Sequence, residues 1–268
     1  MQPGGEAAHM SDTVMVSHEG TIATVVLNNP ERLNALNRPM WERLGAVTAE
    51  LSADDSLRCV VIRGAGTKAF AAGADIAEFE RERGNVEQAR EYGHAIEHTL
   101  RALAQCRHPV VAMIHGACVG GGLEIACLCD LRICGESSRF GVPVKNLGLV
   151  MAYGELQGLI ELCGKAGALE IALEGRVFSA AEAKDKGLVT RVVPDDKVEE
   201  EAYATARRIA EGAPLVARWH KKFINRLMDP KPLTPEEYDL SFACFGTEDY
   251  RIGREAFLAK KKPEFKAR

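Results

Sequence analysis

Two short stretches place glycine where the peptide backbone itself could do chemistry. One is Ala71-Ala72-Gly73-Ala74-Asp75-Ile76; the other is His115-Gly116-Ala117-Cys118-Val119-Gly120-Gly121-Gly122-Leu123-Glu124. Glycine has no Cβ, so its N–H can approach a ligand closely. Each stretch follows an apolar run that reads as a strand. The second also opens a helix, whose first N–H groups lack intrahelical partners and sit at its positive end. Two such groups from separate turns can converge on one carbonyl oxygen and stabilise negative charge developing there. A single donor of this kind is typically worth about 2.7–4 kcal/mol of barrier. By spacing alone, a glycine triplet before a helix equally suits a tight packing turn. The triplet is not G-x-G-x-x-G with an acidic residue about twenty positions on, so a dinucleotide site is poorly supported. Glu124 falls in the first turn of the helix. The dipole favours a carboxylate there in any case, but a carboxyl beside two such donors could also move a proton.

Other candidates point to bland roles. His94 and His98 stand four apart, yet no H-E-x-x-H pattern accompanies them, and they read as partly exposed helix residues. His115 reads as a hydrogen-bonded histidine before the second turn. Most of the eight cysteines lie in apolar runs such as CVVIRG and IACLCDLRIC, as reduced buried thiols do in a cytoplasmic protein. Cys127-Leu-Cys129 is not C-x2-C and has no paired second cluster, so no metal is expected. The net charge of −4 argues against a nucleic-acid partner held through phosphates. Lys260-Lys261-Lys262 by itself reads as a solvated face. No apolar stretch reaches the about 18 residues of a membrane span, and residues 1–13 lack the apolar region of a signal peptide.

The elements that must position the turns follow from pattern. Residues 13–28 form two β-rich runs flanking Glu19-Gly20, a hairpin signal. Asn37 can cap a helix with Pro39 in its first turn, and Met40, Leu44, Val47 and Leu51 give that helix one apolar face. CVVIRG (59–64) reads as a buried strand and 64–75 as a glycine-rich loop. A long helix is expected over about 85–105 with Val86, Ala89, Ile96, Leu100 and Leu103 on its apolar face. Residues 110–116 form a strand, 117–130 a glycine turn opening into a helix, and 131–134 a strand. Residues 177–193 read strand, helix, strand, with Ser179 as N-cap and Gly187 as C-cap. Strands alternate with helices to about residue 195 and helices alone follow, which predicts an α/β fold with strands buried on both faces. The 268 residues suffice for one large core.

AFAAGADI, HGACVGGGLEIACLCD, FGVPVKNLGL, FSAAEAKDKGLVTRVV and AFLAKKKPEF together resemble the enoyl-CoA hydratase/isomerase (crotonase) family over nearly the whole chain. The resemblance implies an α/β spiral of β-β-α units over 12–195, after a disordered leader at 1–11. A C-terminal helical region at 196–268 would build a homotrimer, or a hexamer as a dimer of trimers. It implies an acyl-CoA substrate in fatty acid metabolism. No cofactor is implied, since coenzyme A is part of the substrate, and neither nucleic acid nor membrane is a partner. The oxyanion donors would be the N–H groups of Ala74 and Gly121, with Ala72, Asp75 and Ile76 completing the first acyl-CoA-binding turn. Phe257 and Lys260 match positions that meet coenzyme A, often from a neighbouring subunit.

Hydratases of this family use two glutamates. Glu124 matches the first, but the second falls on Val144, which cannot move a proton. Adding water across a conjugated double bond needs one group to activate water and one to protonate the α-carbon. Glu155 could supply the missing acid, or could be a solvated helix residue, and Tyr153 could narrow the acyl pocket. The resemblance therefore implies an enoyl-CoA hydratase-like lyase. Isomerisation or decarboxylation through the same oxyanion hole, or a catalytically inactive acyl-CoA-binding protein, remains open.

Overall fold

The structure, a computed structural model, describes residues 13–268; the leader expected over 1–11 lies outside them. A hairpin begins the fold, with β1 (Val14–Glu19) antiparallel to β2 (Ile22–Leu27). The helix α1 (Arg38–Ala53) follows, and the Asn37 side chain accepts from the Met40 N–H at 2.9 Å, as an N-cap should. α1 buries Met40, Trp41, Leu44, Val47 and Leu51, which is the face expected from spacing.

Three successive units then repeat one plan. In the first, β3 (Cys59–Gly64) leads into a short β4 (Ala69–Ala71), then α2 (Phe79–Arg83) and α3 (Val86–Gln105). The second contains β5 (Val110–Ile114), β6 (Ala117–Val119) and α4 (Gly121–Leu128). The third contains β7 (Leu131–Gly135), β8 (Arg139–Gly141) and α5 (Tyr153–Glu174). β9 (Val177–Ser179), α6 (Ala180–Asp185) and β10 (Arg191–Val193) close the strand-bearing part. Four helices end the chain: α7 (Val198–Ala210), α8 (Pro214–Leu227), α9 (Pro235–Asp239) and α10 (Glu248–Leu258).

The first strands of the units lie side by side in one sheet, β1-β2-β3-β5-β7-β10, and the second strands in another, β4-β6-β8-β9. Pairing is parallel except at β1/β2 and β8/β9. This is a spiral of β-β-α units, and each unit advances both sheets by one strand. The larger sheet is covered on both faces. Val60 and Ile62 enter the core that contains α1 and α3, while Cys59 and Val61 enter a second core closed by Val198, Ala202 and Ala206 of α7.

Three local expectations change. β4 lies inside the expected glycine-rich loop at 64–75, and β6 and β8 occupy stretches without a strand signal, since all three short runs stand among glycines. Val86 and Ala89 are exposed, because α3 meets the core only from Tyr92 onward. Gly187 stands one residue past the α6 C-cap, Lys186, in the left-handed region at φ 81°. Among the described residues no helix is long and apolar enough to cross a membrane.

Candidate active site

The two turns meet because the spiral sets β4 beside β6. A Cβ on Gly120 would lie 3.5 Å from the Gly73 Cα, so the turns touch backbone to backbone. Gly73 has φ 103° and Gly120 φ 51°, both in the region where side chains are strained. Trp41 of α1 lies beneath: a Cβ on Gly121 would stand 2.8 Å from its ring.

The backbone hydrogen bonds of these turns leave several N–H groups without an acceptor, those of Ala74 and Gly121 among them. Ala72 N–H donates to Leu33 at 3.0 Å and Asp75 N–H to Leu36 at 2.9 Å, while Leu36 N–H donates to Gly73 at 2.7 Å. Gly120 N–H donates to Gly141 at 2.9 Å, and Glu124 N–H to Gly120 at 3.0 Å. The Ala74 N–H is left without a backbone acceptor among the described residues. So is that of Gly121, the first residue of α4 and therefore outside its ladder. Both residues line one cavity of about 170 Å³, together with Ala72, Ile76, Glu124, Val144 and Glu155.

Glu124 projects from α4 and is 8% exposed. Burial is the main cause that pushes its carboxyl up to about 8; the Glu155 carboxyl adds to this, and the Arg83 guanidinium opposes it. Burial also raises Glu155, while the Ala152 N–H, donating to its Oε2 at 2.7 Å, and Arg83 hold it down. Glu155 therefore caps α5 with one oxygen and lines the cavity at the same time. Val144, in the turn after β8, is half-buried in the same wall.

The other residues singled out from sequence lie elsewhere. The Asp75 carboxylate pairs with Arg32 at 2.7 Å and accepts from the Ala77 N–H at 3.1 Å, and it does not line the cavity. Tyr153 is 93% exposed and outside the lining. The physical reason is helical geometry: residues two apart on a helix point about 200° away from each other, so with Glu155 facing in, Tyr153 faces out. Phe257 and Lys260 are exposed near the C-terminus. His115 is half-buried, and burial depresses its pKa, while His94 and His98 are exposed. Among the described residues no cluster of His, Cys, Asp or Glu could hold a metal ion. Burial pushes the Cys127 and Cys129 thiols up to about 12, which makes them poor nucleophiles.

Trp41, Phe79 and Arg83 line the cavity as well and were not apparent from sequence. Arg83 sits in the run FERERG, which reads as a solvated charged turn. A wider hollow of about 670 Å³ lies between α5 and α8, but its Lys221 is already paired with Asp130 at 2.8 Å.

The profile of the family described as "Enoyl-CoA hydratase/isomerase" matches residues 17–268. A "Probable enoyl-CoA hydratase" of Rhizobium meliloti is 36% identical over 259 residues, spanning 96% of this chain and 99% of the relative. The "Short-chain-enoyl-CoA hydratase" of Clostridium acetobutylicum is 35% identical over 255 residues, spanning 94% and 97%. Among solved structures, an enoyl-CoA hydratase/carnithine racemase from Magnetospirillum magneticum superposes with a TM-score of 0.94 at 51% identity, covering 96% of each chain.

Proposed function

Because the chain belongs to the enoyl-CoA hydratase/isomerase family, we propose that it is a hydratase-like lyase working through an enolate held in an oxyanion hole. The observation that supports this reading is that one cavity is lined by Ala74 and Gly121, whose N–H groups have no backbone acceptor, and by the residues of two carboxyls, Glu124 and Glu155. The thioester oxygen of an acyl-CoA accepts from both N–H groups, and they hold the charge that develops as the enolate forms. Two neighbouring carboxyls, both shifted up by burial, resist ionising together. One stays protonated and supplies a proton to the α-carbon. The other takes a proton from the water whose oxygen adds to the β-carbon. Glu155 thereby stands in for the family glutamate whose place Val144 takes.

A specific observation favours a second reading. Val144 lines the cavity where the second acid of a hydratase is expected. With Glu124 as sole proton carrier, the same enolate serves double-bond isomerisation or decarboxylation. An inactive acyl-CoA binder is the remaining alternative. Exposed apolar side chains on the C-terminal helices, among them Ile224, Leu227, Phe242 and Phe257, support assembly into trimers or hexamers. In such an assembly Phe257 and Lys260 would meet coenzyme A across a subunit boundary. The remaining attributes we assign are a cytoplasmic location and no cofactor beyond the coenzyme A of the substrate.

The test is incubation with crotonyl-CoA while the conjugated enoyl absorbance is followed. Turnover lost in Glu124→Gln supports hydration. Inactivity on crotonyl-CoA with turnover of a 3-enoyl- or malonyl-type thioester moves the assignment to the second reading. Tight binding of acyl-CoA esters without chemistry on either class leaves only the binder.

A further inference from the structure

The cavity contains a cation that the chemistry above does not use. Arg83, at the end of α2, lines the same wall as Glu124, Val144 and Glu155. Its guanidinium carbon stands 3.8 Å from the centre of the Tyr92 ring and 4.9 Å from that of Phe79, so two aromatic rings flank it. Its Nε is buried without a hydrogen-bond partner, and no carboxylate forms an ion pair with it among the described residues.

Of the acids on its own segment, Glu80 is exposed and Glu78 and Glu82 are committed to other arginines. Glu82 pairs with Arg81 at 3.0 Å and Arg38 at 3.4 Å, and Glu78 pairs with Arg81 at 3.1 Å. On the facing elements stand Glu124 and Glu155, whose carboxyls burial drives toward the neutral form. A charged guanidinium held in a partly buried cavity without a paired carboxylate is costly. Such a cost is relieved when a ligand brings the anion with it.

We propose that Arg83 is a specificity residue that binds a second, free carboxylate on the acyl group, so that the preferred substrates are CoA thioesters of dicarboxylic acids. This inference rests on the acyl-CoA reading above. With the thioester oxygen between Ala74 and Gly121, the acyl group would enter the cavity that Arg83 lines together with Glu124. Its planar fork matches a carboxylate through two parallel N–H···O bonds, whereas a neutral acyl tail leaves it unpaired.

The test is calorimetric titration of the intact protein with saturated esters that cannot be hydrated, in length-matched pairs: glutaryl- against pentanoyl-CoA, and adipyl- against hexanoyl-CoA. The diacid ester is expected to bind about tenfold or more tightly in at least one pair. Arg83→Gln should abolish that preference and leave the neutral ester within about twofold of the unsubstituted protein. Arg83→Lys keeps the charge but not the fork and should show a reduced preference. It also serves if the glutamine variant does not fold. Neutral esters bound as tightly as diacids in both pairs overturn the assignment, as does a preference that survives Arg83→Gln. Those outcomes leave the acyl-CoA reading intact. If no ester of either kind binds, the acyl-CoA reading fails and this inference falls with it.

Discussion

The Glu155 carboxyl lies close enough to Glu124 to help burial hold the Glu124 carboxyl at about 8. The two arrive from different units of the spiral, Glu124 from the second on α4 and Glu155 from the third on α5. Their coupling predicts different effects for removing each. Glu124→Gln should lower kcat on crotonyl-CoA by about 10²–10⁴-fold while acyl-CoA binding persists. Glu155→Gln should also lower kcat. It should in addition shift the pH profile, because without the Glu155 charge the Glu124 carboxyl titrates at lower pH. Steady-state rates from pH 5 to 9 decide the point. A Glu155→Gln enzyme with unchanged kcat and an unmoved profile would reduce Glu155 to a helix cap.

Stability should carry the same signature. The folded carboxyl of Glu124 titrates near 8, well above its ordinary value of 4.5. Between those values the native state binds more protons than the unfolded chain, so stability falls as pH rises through the window. Glutamine carries no charge and escapes this loss. Glu124→Gln should therefore be more stable than the unsubstituted protein at pH 8, by on the order of 1–4 kcal/mol. The advantage should shrink as pH falls toward 5. Urea midpoints at pH 5, 6.5 and 8 measure it. An advantage constant across that range would mean that Glu124 is not held neutral by the fold.

The contrast between legible and hidden features has a physical basis. Asn37 and Ser179 announce helix starts because capping is a local hydrogen bond, and both caps form. The two glycine turns were legible for the same reason. β4, β6 and β8 were not, since their three residues stand among glycines that read as loop or turn. Arg83 was hidden by its neighbours: in FERERG it looks solvated, and only Tyr92 of α3 and the rings around it turn it inward. Tyr153 and Glu155 were both expected at the site from sequence, and helical geometry separated them. What decided these cases was tertiary packing, which no short window contains.

The proposed oxyanion hole would depend on backbone, so its test is a backbone substitution. Gly120 has φ 51° and ψ −122°, a region that side chains avoid, and it immediately precedes the Gly121 donor. Gly120→Ala should cost about 1–3 kcal/mol of stability from strain and displace the Gly121 N–H. The loss should fall mainly on kcat, by about 10²-fold or more, because the donor matters most as charge builds. A variant that folds, binds a substrate analogue normally and keeps its kcat would show that Gly121 does not hold the developing charge.

The final prediction concerns Val144, where the family resemblance would place a second acid. Val144 follows Pro143 in the turn after β8, half-buried and lining the cavity with Glu124. Adding a glutamate there to the native protein would put three carboxyls in one cavity, where mutual repulsion opposes ionisation of any of them. Val144→Glu alone should therefore destabilise the fold and gain little activity. In a Glu155→Gln background the count returns to two, and the new carboxyl approaches the cavity from another side. If Glu155 serves as the second proton carrier, the double variant should recover about tenfold or more of the kcat/KM that Glu155→Gln loses on crotonyl-CoA. No recovery in a folded double variant would mean that the acid cannot be relocated. The second reading, in which Glu124 works alone on an isomerisation or a decarboxylation, would then account better for a valine at this position.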